Sequence, residues 1–231
     1  MTNILLTGSS RGIGAAIAQA LSVPDLTLAG HGTASGIAAD FDTPDGPAHL
    51  WDTALKKLGS VDVLINNAGI FEATPIDLDD AEWLAGWERT MRVNLTASAT
   101  LCRLAVKHWQ ARGCPGRIVN VASRAAYRGD SPAHWHYAAS KAGMVAMTKT
   151  IARGYAKDGI LAFAICPGFT MTGMAEDYLD SRGGDKLLAD IPLGRVAMPE
   201  EVAEMARWLS LDAPASMTGA VLDVNGASYV R

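Results

Sequence analysis

Apolar residues along the chain fall into short runs of strand length, separated by longer stretches in which they recur with helical period. Residues 3–7 read as a first strand and residues 11–21 as a helix with Ile13, Ile17, Ala18 and Leu21 on its inner face. A second strand follows at 25–29, and further strands are predicted at 61–66, 117–122, 161–166 and 220–224. Each is brief and rich in Val, Ile or Leu without polar alternation, as expected of parallel strands covered on both faces. Helices are predicted at 48–58, 81–109, 137–158 and 200–209, the last opened by Pro199-Glu200-Glu201. This alternation predicts an α/β fold: a doubly wound parallel sheet, helices on both faces, one domain spanning residues 1–231.

Two stretches depart from that rhythm. Between the second strand and a further candidate strand at 36–41 lie only a few Gly-rich residues, too short for a crossover helix, so this βαβ unit is abbreviated. Residues 172–195 mix glycines, charges and scattered apolar side chains, the composition of a lid over a site.

With 231 residues, 49% of them hydrophobic, the chain is long enough for one substantial core. Twenty basic against 24 acidic residues give a net charge of −4 with no cationic stripe, which argues against nucleic acid as a partner. No apolar run approaches the roughly 20 residues that cross a bilayer, and the first residues lack signal-peptide character, so a cytoplasmic protein without a membrane partner is expected. Cys102, Cys114 and Cys166 are widely spaced and form no metal or redox pair, and His134 and His136 lack a third ligand, so no metal is expected.

The candidate chemistry lies where strands end. Thr7-Gly8-Ser9-Ser10-Arg11-Gly12-Ile13-Gly14 follows the first strand and opens the first helix, where glycines let the backbone approach a diphosphate and unpaired amides meet its charge. Asn66-Asn67-Ala68-Gly69 follows another strand, and reads either as a cofactor-cleft lining or as an ordinary turn. Tyr137 and Lys141 are four residues apart, hence on one helix face, where the ammonium favours the phenolate and makes the tyrosine a proton relay. A half-buried ring beside a solvated amine is the plainer alternative for that pair. Ser123 ends the strand at 117–122, placed to hold a carbonyl oxygen, and Asn94 is an amide within an apolar helix, where it needs partners.

Taken together, T-G-x-x-x-G-x-G, Asn66 to Gly69, Asn94, Ser123, Tyr137-x-x-x-Lys141 and Pro167-Gly168-Phe169-Thr170-Met171-Thr172 resemble the short-chain dehydrogenase/reductase family across nearly the whole chain. The resemblance implies a Rossmann fold and hydride transfer between NAD(P)(H) and a ketone or secondary alcohol. It implies Tyr137 as general acid/base, Ser123 orienting the substrate oxygen, Lys141 lowering the tyrosine pKa and holding the nicotinamide ribose, and Asn94 fixing a water of a proton path. Pro167, Gly168 and Thr170 then lie beside the carboxamide, with Thr172 near the diphosphate. The C-terminal part looks like 3-oxoacyl-thioester reductases, with sugar or small-alcohol dehydrogenases as the alternative and a non-catalytic cofactor sensor as the reading from another class. Asn225-Gly226-Ala227 departs from the family's Asp-Gly-Gly. The resemblance also implies a homotetramer or homodimer packed through the helices at 81–109 and 137–158.

No acidic residue stands at the end of the second strand, which reads Gly30-His31-Gly32-Thr33, and Arg11 supplies a fixed positive charge; this favours NADP(H), with NAD(H) the alternative. Ser10, His31 and Thr33 are candidate donors to a 2′-phosphate, while Asp40 and Phe41 stand where the adenine would lie. Phe71, Tyr127, Trp135, His136, Met171, Met174 and Tyr178 suggest an apolar substrate pocket. Arg124 or Arg128 either binds a carboxylate or phosphate group or is an ordinary loop arginine.

Overall fold

The computed structural model describes residues 1–32, 36–172 and 184–231, with side chains omitted at 185–187. Six strands form one sheet: β1 (Thr2–Leu6), β2 (Leu26–Gly30), β3 (Val63–Asn66), β4 (Gly116–Val121), β5 (Ile160–Pro167) and β6 (Val221–Val224). All pairings are parallel, in the order β2-β1-β3-β4-β5-β6. The side chains alternate across the pleat. Leu5, Leu64 and Ile118 enter a core with Leu50 and Trp51 of α2 (Gly46–Leu58) and Leu101 and Trp109 of α4 (Ala97–Arg112). Ile4, Leu6, Ile65, Val119 and Phe163 enter the opposite core with Ile17 of α1 (Gly12–Ala20) and Val202, Ala206 and Leu209 of α8 (Pro199–Leu211). Burying each such side chain contributes about 1.5–3 kcal/mol, and two covered faces explain the uninterrupted apolar runs.

From β1 the chain moves outward to β2, then crosses back to β3 on the other side of β1. The carboxyl ends of β1 and β3 therefore border the crevice in which ligands of open α/β sheets bind.

Two expectations are corrected. Residues 36–41 form no strand: a single bridge joins His31 to Ile37, and the Ala39 carbonyl accepts from the His31 ring instead of from a neighbouring strand. The helix expected at 81–109 is interrupted. Its parts are α3 (Asp80–Met91), capped by the Asp79 carboxylate on the Glu82 amide, a π-helical turn Arg92–Thr96, and α4. The turn carries Asn94, and such wider turns recur at functional sites. Of the proposed lid at 172–195, residues 173–183 lie outside the described residues, and α7 (Gly184–Ala189) follows them. The remaining helices are α5 (Ala125–Arg128) and α6 (Trp135–Tyr155). No helix among the described residues is long and apolar enough to cross a membrane.

Candidate active site

The turn after β1 is fixed to the turn after β3. The Thr7 hydroxyl accepts from the Asn67 and Ala68 amides at 2.9 and 3.0 Å, while the Asn67 side chain donates to the Thr7 and Gly8 carbonyls at 3.1 and 3.0 Å. Thr7 opens the glycine motif, but no role of its own was read for it from the sequence; a hydroxyl directly after an apolar strand was the available signal. At Gly8, φ is +67° and a Cβ would stand 2.8 Å from Ala68 Cα; at Gly14 it would stand 1.8 Å from the Gly8 carbonyl oxygen. Only glycine lets α1 come this close to the loop. Arg11 is exposed before α1 and its side chain caps nothing, so the amides of Gly12, Ile13 and Gly14 have no intrahelical acceptor. Thr172 lies against Gly12, its methyl 3.0 Å from where a Cβ would be. Close-approach glycines, free amides, Ser10 and Arg11 together fit the diphosphate of a dinucleotide.

His31 does not fit the role of phosphate donor. Its ring is buried: Nδ1 accepts from the Gly8 amide at 3.2 Å and Nε2 donates to the Ala39 carbonyl at 3.0 Å. Burial also lowers its pKa, favouring a neutral ring with both nitrogens committed to the protein. Phe41 stacks on His31 at 4.4 Å and belongs to the core, so its ring does not line the cleft as expected. Asp40 is exposed, one carboxylate oxygen accepting from the Asp42 amide. Thr33 lies outside the described residues.

At the carboxyl ends of β4 and β5 the structure gathers the predicted quartet. Tyr137, near the start of α6, hydrogen-bonds Ser123, whose hydroxyl also accepts from the Ala125 amide at 3.1 Å. One turn along, Lys141 is buried and its Nζ donates to the Val121 carbonyl at 3.0 Å, 5.7 Å from the centre of the Tyr137 ring. Asn94 is fully buried: its Oδ1 accepts from the Ile70 amide at 2.8 Å, and its Nδ2 donates to the Ile70 carbonyl at 3.0 Å and to Ser140 Oγ at 3.3 Å. Ser140 in turn donates to the Tyr137 carbonyl at 2.7 Å, so Asn94 is tied to α6 through a residue the sequence reading passed over.

In the polypeptide alone, burial outweighs the effect expected of the Tyr137–Lys141 pair. Tyr137 is pushed up to about 12, the Ser123 hydrogen bond pulling the other way, and Lys141 is pushed down to about 8.

Behind this quartet runs a buried polar line. Asn66 Nδ2 donates to Asn120 Oδ1 at 2.9 Å, and Asn120 donates to Thr148 Oγ1 at 2.8 Å. Asn120 within an apolar strand was a readable signal for it.

After β5, Gly168 has no room for a side chain, a Cβ falling 2.8 Å from Asn225 Cα, and its amide donates to the Val224 carbonyl at 2.9 Å. Pro167 ends β5, and the Thr170 hydroxyl donates to the Gly168 carbonyl at 3.1 Å. Gly69 faces Asn94 and Lys141 closely enough that a Cβ would meet Asn94 Oδ1 at 3.2 Å and Lys141 Nζ at 3.5 Å. An aromatic wall stands beside Tyr137: Phe71 meets its ring edge-on at 4.8 Å and stacks on His134 at 3.9 Å. His136 is buried and hydrogen-bonded to Thr74. Among the described residues no group of His, Cys, Asp or Glu could hold a metal ion.

Residues 8–227 match the family model described as Enoyl-(acyl carrier protein) reductase. The chain is 35% identical to the 3beta-hydroxysteroid dehydrogenase 1 of Eggerthella lenta, covering 96% of this chain and 92% of that protein. It is 35% identical to a 3-oxoacyl-[acyl-carrier-protein] reductase of Synechocystis, covering 96% and 94%. A solved structure described as an NAD(P)-dependent gluconate 5-dehydrogenase from Beutenbergia cavernae, with NADP at low occupancy, superposes with a TM-score of 0.87 at 31% identity, covering 98% of this chain and 96% of that one.

Proposed function

The chain belongs to the short-chain dehydrogenase/reductase family, and we propose that Tyr137 is the group through which it moves the proton of its reaction. The protein is an NAD(P)-dependent oxidoreductase acting on CH–OH groups, interconverting a ketone and a secondary alcohol. The observation that carries the proposal is the hydrogen bond between Tyr137 and Ser123 at the carboxyl end of β4, with the buried ammonium of Lys141 one turn away.

When bound, the nicotinamide supplies or accepts the hydride. Ser123 and Tyr137 present two hydroxyls to the substrate oxygen, which fixes it and polarises the carbonyl. At neutral pH Tyr137 keeps its proton, as a phenol does at its ordinary pKa of about 10 and all the more with burial pushing it up to about 12, and so has a proton to donate in the reductive direction. Lys141, at about 8, is mostly cationic at neutral pH, close enough to stabilise the phenolate left behind. Asn94 and Ser140 hold the Ile70 turn and α6 together beside this pair, where a water on a proton path would be fixed.

NADP(H) is the proposed preference and NAD(H) the alternative. Arg11 is exposed at the glycine turn, and the Gly30-His31-Gly32 end of β2 has no carboxylate to repel a 2′-phosphate. Comparative titration of the two cofactors tests this. The proposal includes one NAD(P)-binding unit spanning the chain, in the cytoplasm, assembled as a homodimer or homotetramer through α3, α4 and α6; sedimentation reads the last directly. Substrate choice between 3-oxoacyl thioesters and sugars or small alcohols is decided by a panel followed at the nicotinamide absorbance. Tyr137→Phe should lower kcat by about 10²–10⁴-fold while cofactor affinity changes little. Undiminished turnover in that variant overturns the assignment.

A further inference from the structure

The residue after Ser123 carries an unresolved charge. Arg124 is 14% exposed along its side chain, its Nη1 is enclosed by protein, and its guanidinium makes no hydrogen bond among the described residues. The nearest carboxylate, Asp190, lies 3.5 Å away and is already engaged by Arg128 at 2.6 and 3.4 Å. Arg128 also donates to the Ser228 carbonyl at 3.0 Å. Asp130 shares the neighbourhood but forms no ion pair with Arg124 within the described residues, and its carboxylate accepts from the Ser131 amide. A guanidinium drawn out of water with only a long, shared ion pair to offset it is costly, and a charge desolvated in this way beside a cavity is a candidate binding group. Burial is the leading influence on Arg124, depressing its pKa, in keeping with a cation short of a counter-charge.

Arg124, Arg128, Gly129, Asp130 and Ser131 line a cavity of about 300 Å³. It lies beside the reacting centre: Arg124 follows Ser123 in the chain, and Ser131 on the cavity wall is hydrogen-bonded at 2.7 Å to the His134 ring, which stacks on the Phe71 that meets Tyr137 edge-on.

We propose that Arg124, backed by Arg128, is an anion-binding subsite that takes the carboxylate of a small oxo or hydroxy acid while its carbonyl or carbinol meets Ser123 and Tyr137. This rests on the placement of the reacting centre at those two residues. A planar carboxylate matches the guanidinium fork with two parallel N–H donors, and a cavity of this size takes a small acid. Asp190 occupies the cation pair's edge as an internal competitor, so an incoming carboxylate takes its place at Arg124.

The test is calorimetric binding to the cofactor-loaded protein, alongside turnover, using levulinate, 4-oxocyclohexanecarboxylate and 5-ketogluconate, the carboxamide of each, and dihydroxyacetone phosphate. At least one carboxylate should bind about tenfold or more tightly than its carboxamide. That ratio should collapse towards one in Arg124→Gln and be only partly kept in Arg124→Lys. Asp190→Asn, at an exposed side chain and so a safe variant for folding, should tighten carboxylate binding several-fold. No carboxylate preference in the unaltered protein, a ratio unmoved by Arg124→Gln, or weaker carboxylate binding in Asp190→Asn overturns the proposal. Preferential binding of the phosphate ester overturns the carboxylate assignment. Reduction of uncharged ketones with no carboxylate preference would sink this subsite while leaving Tyr137 in its role, whereas carboxylate binding with turnover undiminished in Tyr137→Phe would do the reverse.

Discussion

Asn94→Ala separates a structural amide from a spectator. The Asn94 side chain is fully buried and spans the Ile70 peptide environment, accepting from its N–H at 2.8 Å and donating to its C=O at 3.0 Å, with a weaker 3.3 Å contact to Ser140. Truncation orphans both Ile70 groups. Each costs about 1–3 kcal/mol if left dry, and the half-buried position of Ile70 lets water recover part of that. A net loss of about 2–4 kcal/mol is expected, equivalent to a fall in Tm of roughly 5–12 °C for a chain of this length. Thr100→Ala is the matched control, since that hydroxyl donates only to the Thr96 carbonyl on the partly exposed side of α4, and its change should stay within about 0.5 kcal/mol. Urea unfolding of the three proteins, monitored by far-UV circular dichroism and Trp fluorescence, reads the difference. If Asn94→Ala is no less stable than Thr100→Ala, the amide does not hold the Ile70 turn and the account of the π-helical turn as its mounting fails.

Lys141→Met tests the cost of the buried ammonium. The folded pKa of about 8 lies below the ordinary 10.5, so the unfolded chain binds more protons between them and the wild type gains stability as pH rises through that window. The gap corresponds to about 3 kcal/mol, so the stability difference between variant and wild type should favour the variant more at pH 7 than at pH 10; a pH-independent difference would contradict the burial argument. Gly14→Ala drives a Cβ to 1.8 Å from the Gly8 carbonyl and should abolish NADPH fluorescence enhancement, whereas retained affinity would mean the loop need not approach α1 so closely. Ala227 is the one non-glycine residue with positive φ, at 63°, among the described residues, and Ala227→Gly should raise stability by about 0.5–1 kcal/mol in thermal unfolding, an unchanged or lower Tm counting against strain there.

What sequence reading recovers here is what depends on local spacing. Alternate residues of each strand had to enter opposite cores, and they do; Tyr137 and Lys141 had to share a helix face, and the glycines of the first turn had to crowd a neighbouring backbone. What it misses depends on competition between distant groups. Nothing near Ala39 in sequence reveals that its carbonyl is claimed by the His31 ring, which removes a ladder partner from residues 36–41. The same contact converts His31 from a supposed phosphate donor into a brace for Gly8. The π-helical turn is likewise invisible to a period count, because it adds one residue to a turn of otherwise helical pattern, and Asn94 finds its partners 24 residues upstream and 46 downstream.

These misses share a cause. A sheet with apolar faces leaves only its carboxyl edge for polar chemistry, so the groups that work there must be drawn partly out of water. Burial then acts on each in the direction of neutrality: Tyr137 upward, Lys141 downward, His31 downward. Sequence spacing predicts which side chains meet but not how far solvent is excluded around them, and it is the exclusion that sets how firmly each holds its proton. Here it pushes the phenol up to about 12 and the amine down to about 8 in the polypeptide alone. The proton is thus kept where a carbonyl oxygen would receive it, with a cation beside the anion that donation creates.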